Sequence, residues 1–324
     1  MESMKHYQDY FDKHLKSYNQ SKTPKNLYEP VQYVLEIGGK RLRPILTLIT
    51  ADCFGGNISD SLNAALAIEV FHNFTLIHDD IMDNAPLRRG KQTVHEKWNI
   101  NTGILSGDAM LIMAYKLFES YPQSQSQELI KLFSKTALEV CEGQQYDIDF
   151  GNRFDVTTAE YLKMIEYKTA VLVASAMQMG AIIADASPED QQKCFDFGRN
   201  LGIAFQLKDD YLDTFGDPKT FGKQIGGDII ENKKTYLFTK SIEMGSEATR
   251  NILKELYNQD LSNNEKKIFK VIEIFNETGA ADANCIAIKK YTEKAFSSLK
   301  SLSIDSSKKN LLRDFGTQLM SRNI

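Results

Sequence analysis

The feature that most narrows what this chain can become is how long its apolar residues keep helical spacing without a break. "QELIKLFSKTALEVCEGQQYDIDF" and "AEYLKMIEYKTAVLVASAMQMGAIIADA" repeat apolar positions three and four apart, and neither contains a proline. That spacing lays one stripe along an α-helix and would scatter across both faces of a strand. "EKKIFKVIEIFNETGA" repeats the pattern and stops at Gly279, a residue suited to the left-handed turn that ends helices. Only seven prolines interrupt 324 residues, and alternation bounded by hairpin turns is hard to find anywhere. An all-α fold of many helices and short loops follows, as a single large helical domain spanning 1–324. Loops are expected at "YNQSKTPKN", "FGGNISDS", "NAPLRRGKQT", "ESYPQSQSQ" and "FGDPKTFGKQIGGD", none long enough for a linker.

Composition removes several function classes. A net charge of −4 lacks the basic excess of a nucleic-acid binder. Cys53, Cys141, Cys194 and Cys285 are scattered with no C-x-x-C pair, which fits reduced thiols in a cytoplasmic protein. The opening "MESMKHYQDYFDKHL" lacks the apolar centre of a signal peptide. The most apolar run, "AVLVASAMQMGAIIA", is too short to span a bilayer and reads as a buried helix. No stable membrane insertion is expected.

Against this background two acidic clusters stand out, "LIHDDIMD" and "FQLKDDYLD". On a helix, positions i and i+4 share a face, so Asp79 and Asp83 project together, as do Asp209 and Asp213. His72 lies on roughly the stripe of Asp79, and Gln206 sits one turn ahead of Asp209 and Asp210. Stacked carboxylates repel one another unless a cation offsets them. Magnesium, which takes one or two carboxylates and completes its shell with water and phosphate, suits such a pair. One D-D-x-x-D alone reads better as an exposed acidic face or a cap. Two copies embedded in apolar sequence reverse that, and suggest two helices facing each other across a cleft with magnesium between them.

Basic residues supply the complement: "GGKRLRP" with Lys40, Arg41 and Arg43, "PLRRGK" with Arg88, Arg89 and Lys91, "YKT", and "GKQIGGDIIENKKT". Singly, each is more often a surface charge. Beside metal-binding carboxylates they suggest phosphate sites, arginine as a fork and lysine as a point charge. No segment matches the P-loop or dinucleotide fingerprints.

These five motifs, in this order and spacing, resemble the trans-isoprenyl diphosphate synthases, or polyprenyl synthetases. The resemblance implies the isoprenoid synthase fold, helices around a deep central apolar cavity, usually as a homodimer. It implies a prenyltransferase that condenses an allylic diphosphate with isopentenyl diphosphate head to tail, with Mg²⁺. Carried over, Asp79, Asp83 and Asp209 are the metal ligands, with Asp80, Asp210 and Asp213 supporting or acting through water. Lys168, Gln206, Lys223 and Lys233 match the allylic site, Thr169 lies near the developing cation, and Arg88 matches an allylic-diphosphate arginine. Lys40, Arg43, His72 and Arg89 match the isopentenyl-diphosphate site. Ionisation leaves charge on pyrophosphate, which metal and fixed cations stabilise, while a closed apolar cavity excludes water. Released pyrophosphate is the expected base.

In this family the cavity floor lies upstream of the first motif. Phe74 and Phe71 lie roughly 7.5 Å and 12 Å along the axis from Asp79, and argue for a C15 or C20 product. The short first motif and small Thr75 lean toward geranylgeranyl diphosphate. His78, His95, Trp98, Met82 and Met110 read as packing. The rival readings are a terpene cyclase, a catalytically silent partner subunit and a plain metal-binding helical protein. The first two typically alter an aspartate motif, and both motifs are intact here. The third leaves the ordered basic motifs unexplained.

Overall fold

The expected helical stretches form helices, in a computed structural model that describes residues 2–18, 21–217, 225–258 and 264–321. The chain divides into two compact units, residues 1–134 with 175–192, and residues 135–174 with 193–324.

In the first unit the helices are α1 (Glu2–Tyr18), α2 (Lys25–Glu36), α3 (Leu42–Cys53), α4 (Leu62–Met82), α5 (Val94–Lys97) and α6 (Ile100–Leu117). The early part of α7 (Gln123–Gly151) and the later part of α9 (Val171–Ile183) complete it. α4 is its centre: Ala64, Leu66, Ala67, Ile68, Val70 and Phe71 are all fully buried. A helix apolar on every side is stable only when surrounded, and α4 packs between α3 and α6. Gly180 permits a tight crossing, since a Cβ there would stand 2.3 Å from the Thr47 carbonyl oxygen.

The second unit holds the rest of α7, α8 (Thr158–Ile165), most of α10 (Pro188–Phe215), and six further helices. These are α11 (Gly227–Ile230), α12 (Tyr236–Met244), α13 (Glu247–Leu256), α14 (Asn264–Glu277), α15 (Ala280–Lys300) and α16 (Ser306–Met320). Thr157 starts α8 with a capping box, its hydroxyl accepting from the Glu160 amide while Glu160 reaches back to the Thr157 amide. Gly279, at φ 75°, separates α14 from α15 where the sequence placed a helix end.

Four details depart from the sequence reading. "NAPLRRGKQT" contains a two-stranded hairpin, β1 (Leu87–Arg88) and β2 (Lys91–Gln92). Its turn residues Arg89 (φ 54°) and Gly90 (φ 76°) both take positive φ, the geometry that suits a two-residue hairpin loop. The stretch beginning "AEYLKMIEYKTA" is not one uniform helix, because Glu166–Ala170 widens into a π turn between α8 and α9. α7 begins at Gln123, immediately after Pro122, so most of "PQSQSQ" is helical rather than loop. Met82 is 49% exposed rather than core, because it belongs to the last turn of α4. Among the described residues no helix is long and apolar enough to cross a membrane, and none of the four cysteines forms a disulfide.

Candidate functional site

Each acidic motif occupies the C-terminal end of its helix. Asp79 and Asp80 lie in the last turn of α4, and Asp83 caps it, its amide donating to the Asp79 carbonyl at 2.8 Å. Asp209, Asp210 and Asp213 fall in the last two turns of α10. Helix C-termini carry the negative end of the peptide dipole, so carboxylates gathered there are disfavoured unless a cation joins them.

In the first unit the basic residues converge. The guanidinium of Arg43 lies 3.3 Å from the His72 ring nitrogen, and its Nε is buried with no hydrogen-bond partner. Arg89 presses its guanidinium against the backbone of Gly39, where a Cβ would come within 2.7 Å of Nη1. Burial, then Arg43, Arg89, Arg88 and Arg41, hold His72 well below the ordinary imidazole range, so it is neutral at pH 7. Burial likewise lowers Arg43 and Arg89. Such a concentration of cations around a neutral imidazole has the character of a site for a multiply charged anion. Lys40 lies exposed in the loop before α3.

Two arginines are already engaged by carboxylates. Arg88 forks onto buried Asp80, with Nε at 2.9 Å and Nη2 at 2.7 Å, fastening the hairpin to the end of α4. Arg41, in a left-handed conformation (φ 50°), pairs with buried Glu69 and donates to the Leu35 carbonyl at 2.6 Å. Asn73 donates to the same Glu69 carboxylate at 3.1 Å. Arg41 therefore anchors the loop that presents Lys40 and the start of α3, which carries Arg43. Glu69 was legible only as a lone acid in an apolar run.

In the second unit Lys168, Thr169, Gln206, Asp209 and Lys233 line one cavity of about 220 Å³. Lys168 and Thr169 sit in the π turn, a distortion that recurs at functional sites. α7 approaches that turn backbone to backbone at Gly143, where a Cβ would be 2.3 Å from the Lys168 nitrogen. Gly202 of α10 does the same at Ala170 (2.7 Å), which brings Gln206, one turn further on, beside Thr169. The Thr169 hydroxyl donates to Gln206 Oε1 at 3.2 Å, and the Gln206 amide donates to Asp210 Oδ1 at 2.9 Å. The Tyr161 hydroxyl donates to the other Asp210 oxygen. Lys168 pairs with Asp147 at 2.5 Å.

Asp213 accepts the Asp228 amide at 2.9 Å and so fixes the start of α11. Burial, then Asp228, push Asp210 well above the usual carboxylate range. Burial and Asp213 push Asp228 up to about 6. Burial alone would lower Lys233, but the Asp228 carboxylate at 3.6 Å and Glu231 at 2.7 Å raise it. Tyr161, Asp147 and Asp228 escaped sequence reasoning. Asp228 stood inside a motif read for its lysines, and the other two carry no spacing signal. Lys223 lies outside the described residues.

The donor set suits a hard cation, being carboxylate oxygens that repel one another at helix ends. Among the described residues no three His, Cys, Asp or Glu groups form a ready cage. Magnesium takes one or two carboxylates and completes its shell with water and substrate phosphate.

The sequence model of the polyprenyl synthetase family matches residues 24–275. A short chain isoprenyl diphosphate synthase of Methanothermobacter thermautotrophicus is 37% identical, over 89% of this chain and 88% of that protein. A geranylgeranyl diphosphate synthase of Sulfolobus acidocaldarius is 40% identical, over 89% and 88%. The crystal structure of a geranylgeranyl pyrophosphate synthase superposes with a TM-score of 0.95 at 53% identity, covering 99% of both chains.

Proposed function

Since the chain belongs to the polyprenyl synthetase family and is a prenyltransferase, we propose that it joins isopentenyl diphosphate head to tail to an allylic diphosphate, yielding a short all-trans product of C15–C20, geranylgeranyl diphosphate in preference. The observation that carries this reading is the cavity that Lys168, Thr169, Gln206, Asp209 and Lys233 line together. Both units belong to one catalytic domain, a reading supported by a family match that runs through both.

Lys168 and Lys233 hold the allylic diphosphate as point charges, together with Lys223 and Arg88. The Thr169 hydroxyl donates its hydrogen bond to Gln206 Oε1. Its oxygen lone pairs are then left for the allylic cation, which they stabilise as fixed dipoles. Lys40, Arg43, His72 and Arg89 hold the isopentenyl diphosphate, and neutral His72 contributes a hydrogen bond rather than a charge. Asp79, Asp83 and Asp209 would hold magnesium, which when bound would supply Lewis-acid neutralisation of the departing pyrophosphate. The isopentenyl double bond attacks the cation, and the proton then lost passes to pyrophosphate.

Phe74 ends the space for the growing chain. Its ring is 8% exposed and lies edge-on to His78 at 4.8 Å. A homodimer is supported by α6, where Ile104, Leu105 and Ile112 are 41%, 60% and 59% exposed. These positions share one helix face and favour burial against a second copy. A cytoplasmic setting agrees with four cysteines that form no disulfide.

The test incubates purified protein with isopentenyl diphosphate and dimethylallyl, geranyl or farnesyl diphosphate, with Mg²⁺ or with EDTA. Elongated linear diphosphates only with Mg²⁺ are expected. Cyclic hydrocarbons would mean a cyclase, and no elongation with any primer would mean a silent partner subunit.

A further inference from the structure

Three segments of the second unit meet at Asn232, and two of them bring buried lysines. Lys234 and Lys267 are 5% and 4% exposed. Lys267 Nζ donates to Asn232 Oδ1 at 2.6 Å, and Lys234 Nζ to the Asn232 carbonyl at 2.8 Å and the Gly151 carbonyl at 3.3 Å. The Asn232 amide donates to Ile229 at 3.2 Å. Backbone donor, backbone acceptor and side chain of Asn232 are thus all engaged, and the residue is held at φ 57°. Asparagine tolerates that left-handed conformation better than most residues.

The ammoniums rest on aromatic faces. Lys234 lies over Phe154 at 4.8 Å, Tyr257 at 5.3 Å and Phe238 at 5.4 Å, and Lys267 lies over Tyr257 at 5.6 Å. Burying two like charges is unfavourable, and burial with Lys267 nearby pulls Lys234 down to about 8. A turn needing only to close would use glycine at 232 and apolar residues around it. The next residue along is Lys233, whose ammonium lines the cavity.

We propose that Lys267, acting through Asn232, is a positioning residue for Lys233: with Lys234 it forms a buried brace that fixes the turn and sets Lys233 where an allylic diphosphate binds. This rests on the reading of Lys233 given above. Lys234 also lines the cavity, whereas Lys267 and Asn232 do not, so the loss of the Lys267–Asn232 link is read in the binding of one substrate and not in the chemical step.

The test measures initial rates with farnesyl and isopentenyl diphosphates for Lys267→Met, Asn232→Gly and the double variant. Asn232→Gly keeps the left-handed turn and both backbone groups, and removes only the acceptor. Each single variant is expected to raise the KM for farnesyl diphosphate about tenfold, the loss of one charge-assisted hydrogen bond. kcat and the KM for isopentenyl diphosphate should hold within about twofold, and the double variant should be no worse than either single, because both cut one link. Should Lys267→Met not fold, Asn232→Gly decides alone. An unchanged allylic KM in a folded Asn232→Gly, or additive losses in the double variant, overturns the brace. Lys233→Ala separates the two ideas: an unchanged allylic KM there means the reading of Lys233 has failed, whereas a raised one with Asn232→Gly silent means only the brace has.

Discussion

Replacing Phe74 by alanine tests where chain growth stops. The ring sits roughly 7.5 Å along α4 from Asp79 and faces His78, while Phe71 lies a turn deeper. Admitting one more isoprene unit buries about five carbons at about 0.8 kcal/mol each, so about 4 kcal/mol of discrimination disappears when the ring is removed. At about 1.4 kcal/mol per tenfold, that suffices to move the main product from C20 to C25. Phe71→Ala is the control. Phe71 is fully buried against Phe74 (5.4 Å) and Phe133 (5.1 Å). Its loss should lower stability by about 3–5 kcal/mol and leave product length alone. Labelled isopentenyl diphosphate with farnesyl diphosphate, followed by chromatography of the dephosphorylated products, reads both. A folded, active Phe74→Ala with the wild-type product profile would refute the floor, and a lengthened product from Phe71→Ala alone would move it.

Other consequences can be measured directly. Tyr161→Phe frees the Asp210 carboxylate and loosens the Gln206 amide, so kcat should fall about ten- to hundredfold, with melting temperature nearly kept. An unchanged kcat would make Tyr161 ordinary packing. Arg41→Met strands the buried Glu69 carboxylate and should cost about 3–5 kcal/mol in urea unfolding, whereas adding Glu69→Met should restore part of it. Lys234 is held near 8 when folded against 10.5 unfolded. Its charge therefore lowers stability fully below pH 8, and stability recovers as pH rises from about 8 towards 10.5, where the unfolded chain binds more protons. Lys234→Met should flatten that rise in melting temperature, and an equally steep rise in the variant would reject the assignment. Leu105→Asp on the exposed face of α6 should give monomers in analytical ultracentrifugation; a variant that still dimerises would place the interface elsewhere.

What was legible in the sequence followed periodicity and motif. The helices of "QELIKLFSKTALEV" and "EKKIFKVIEIF", and the stop at Gly279, could be read because apolar spacing and glycine act locally. The convergence of Arg43, His72 and Arg89 followed motifs, yet the pairing of Arg41 with Glu69 depended on how the start of α3 packs on α4. Tyr161 and Asp147 met Asp210 and Lys168 only through folding, and neither has a spacing that marks it. The hairpin was hidden because it has two residues per strand, too short for alternation to register. The π turn was hidden because it differs from an α-helix in hydrogen bonding rather than in composition.

That widened turn also sets a constraint on how the chain can change. A ring closed from i to i+5 holds one residue more than its α-helical counterpart, so the helix leaves it out of phase by about 100° with an unbroken continuation. Deleting Glu166 or Tyr167 would heal the ladder and rotate Lys168 and Thr169 away from Asp147 and Gln206. Apart from Lys168 and Thr169, residues of this stretch can change one at a time; its length cannot.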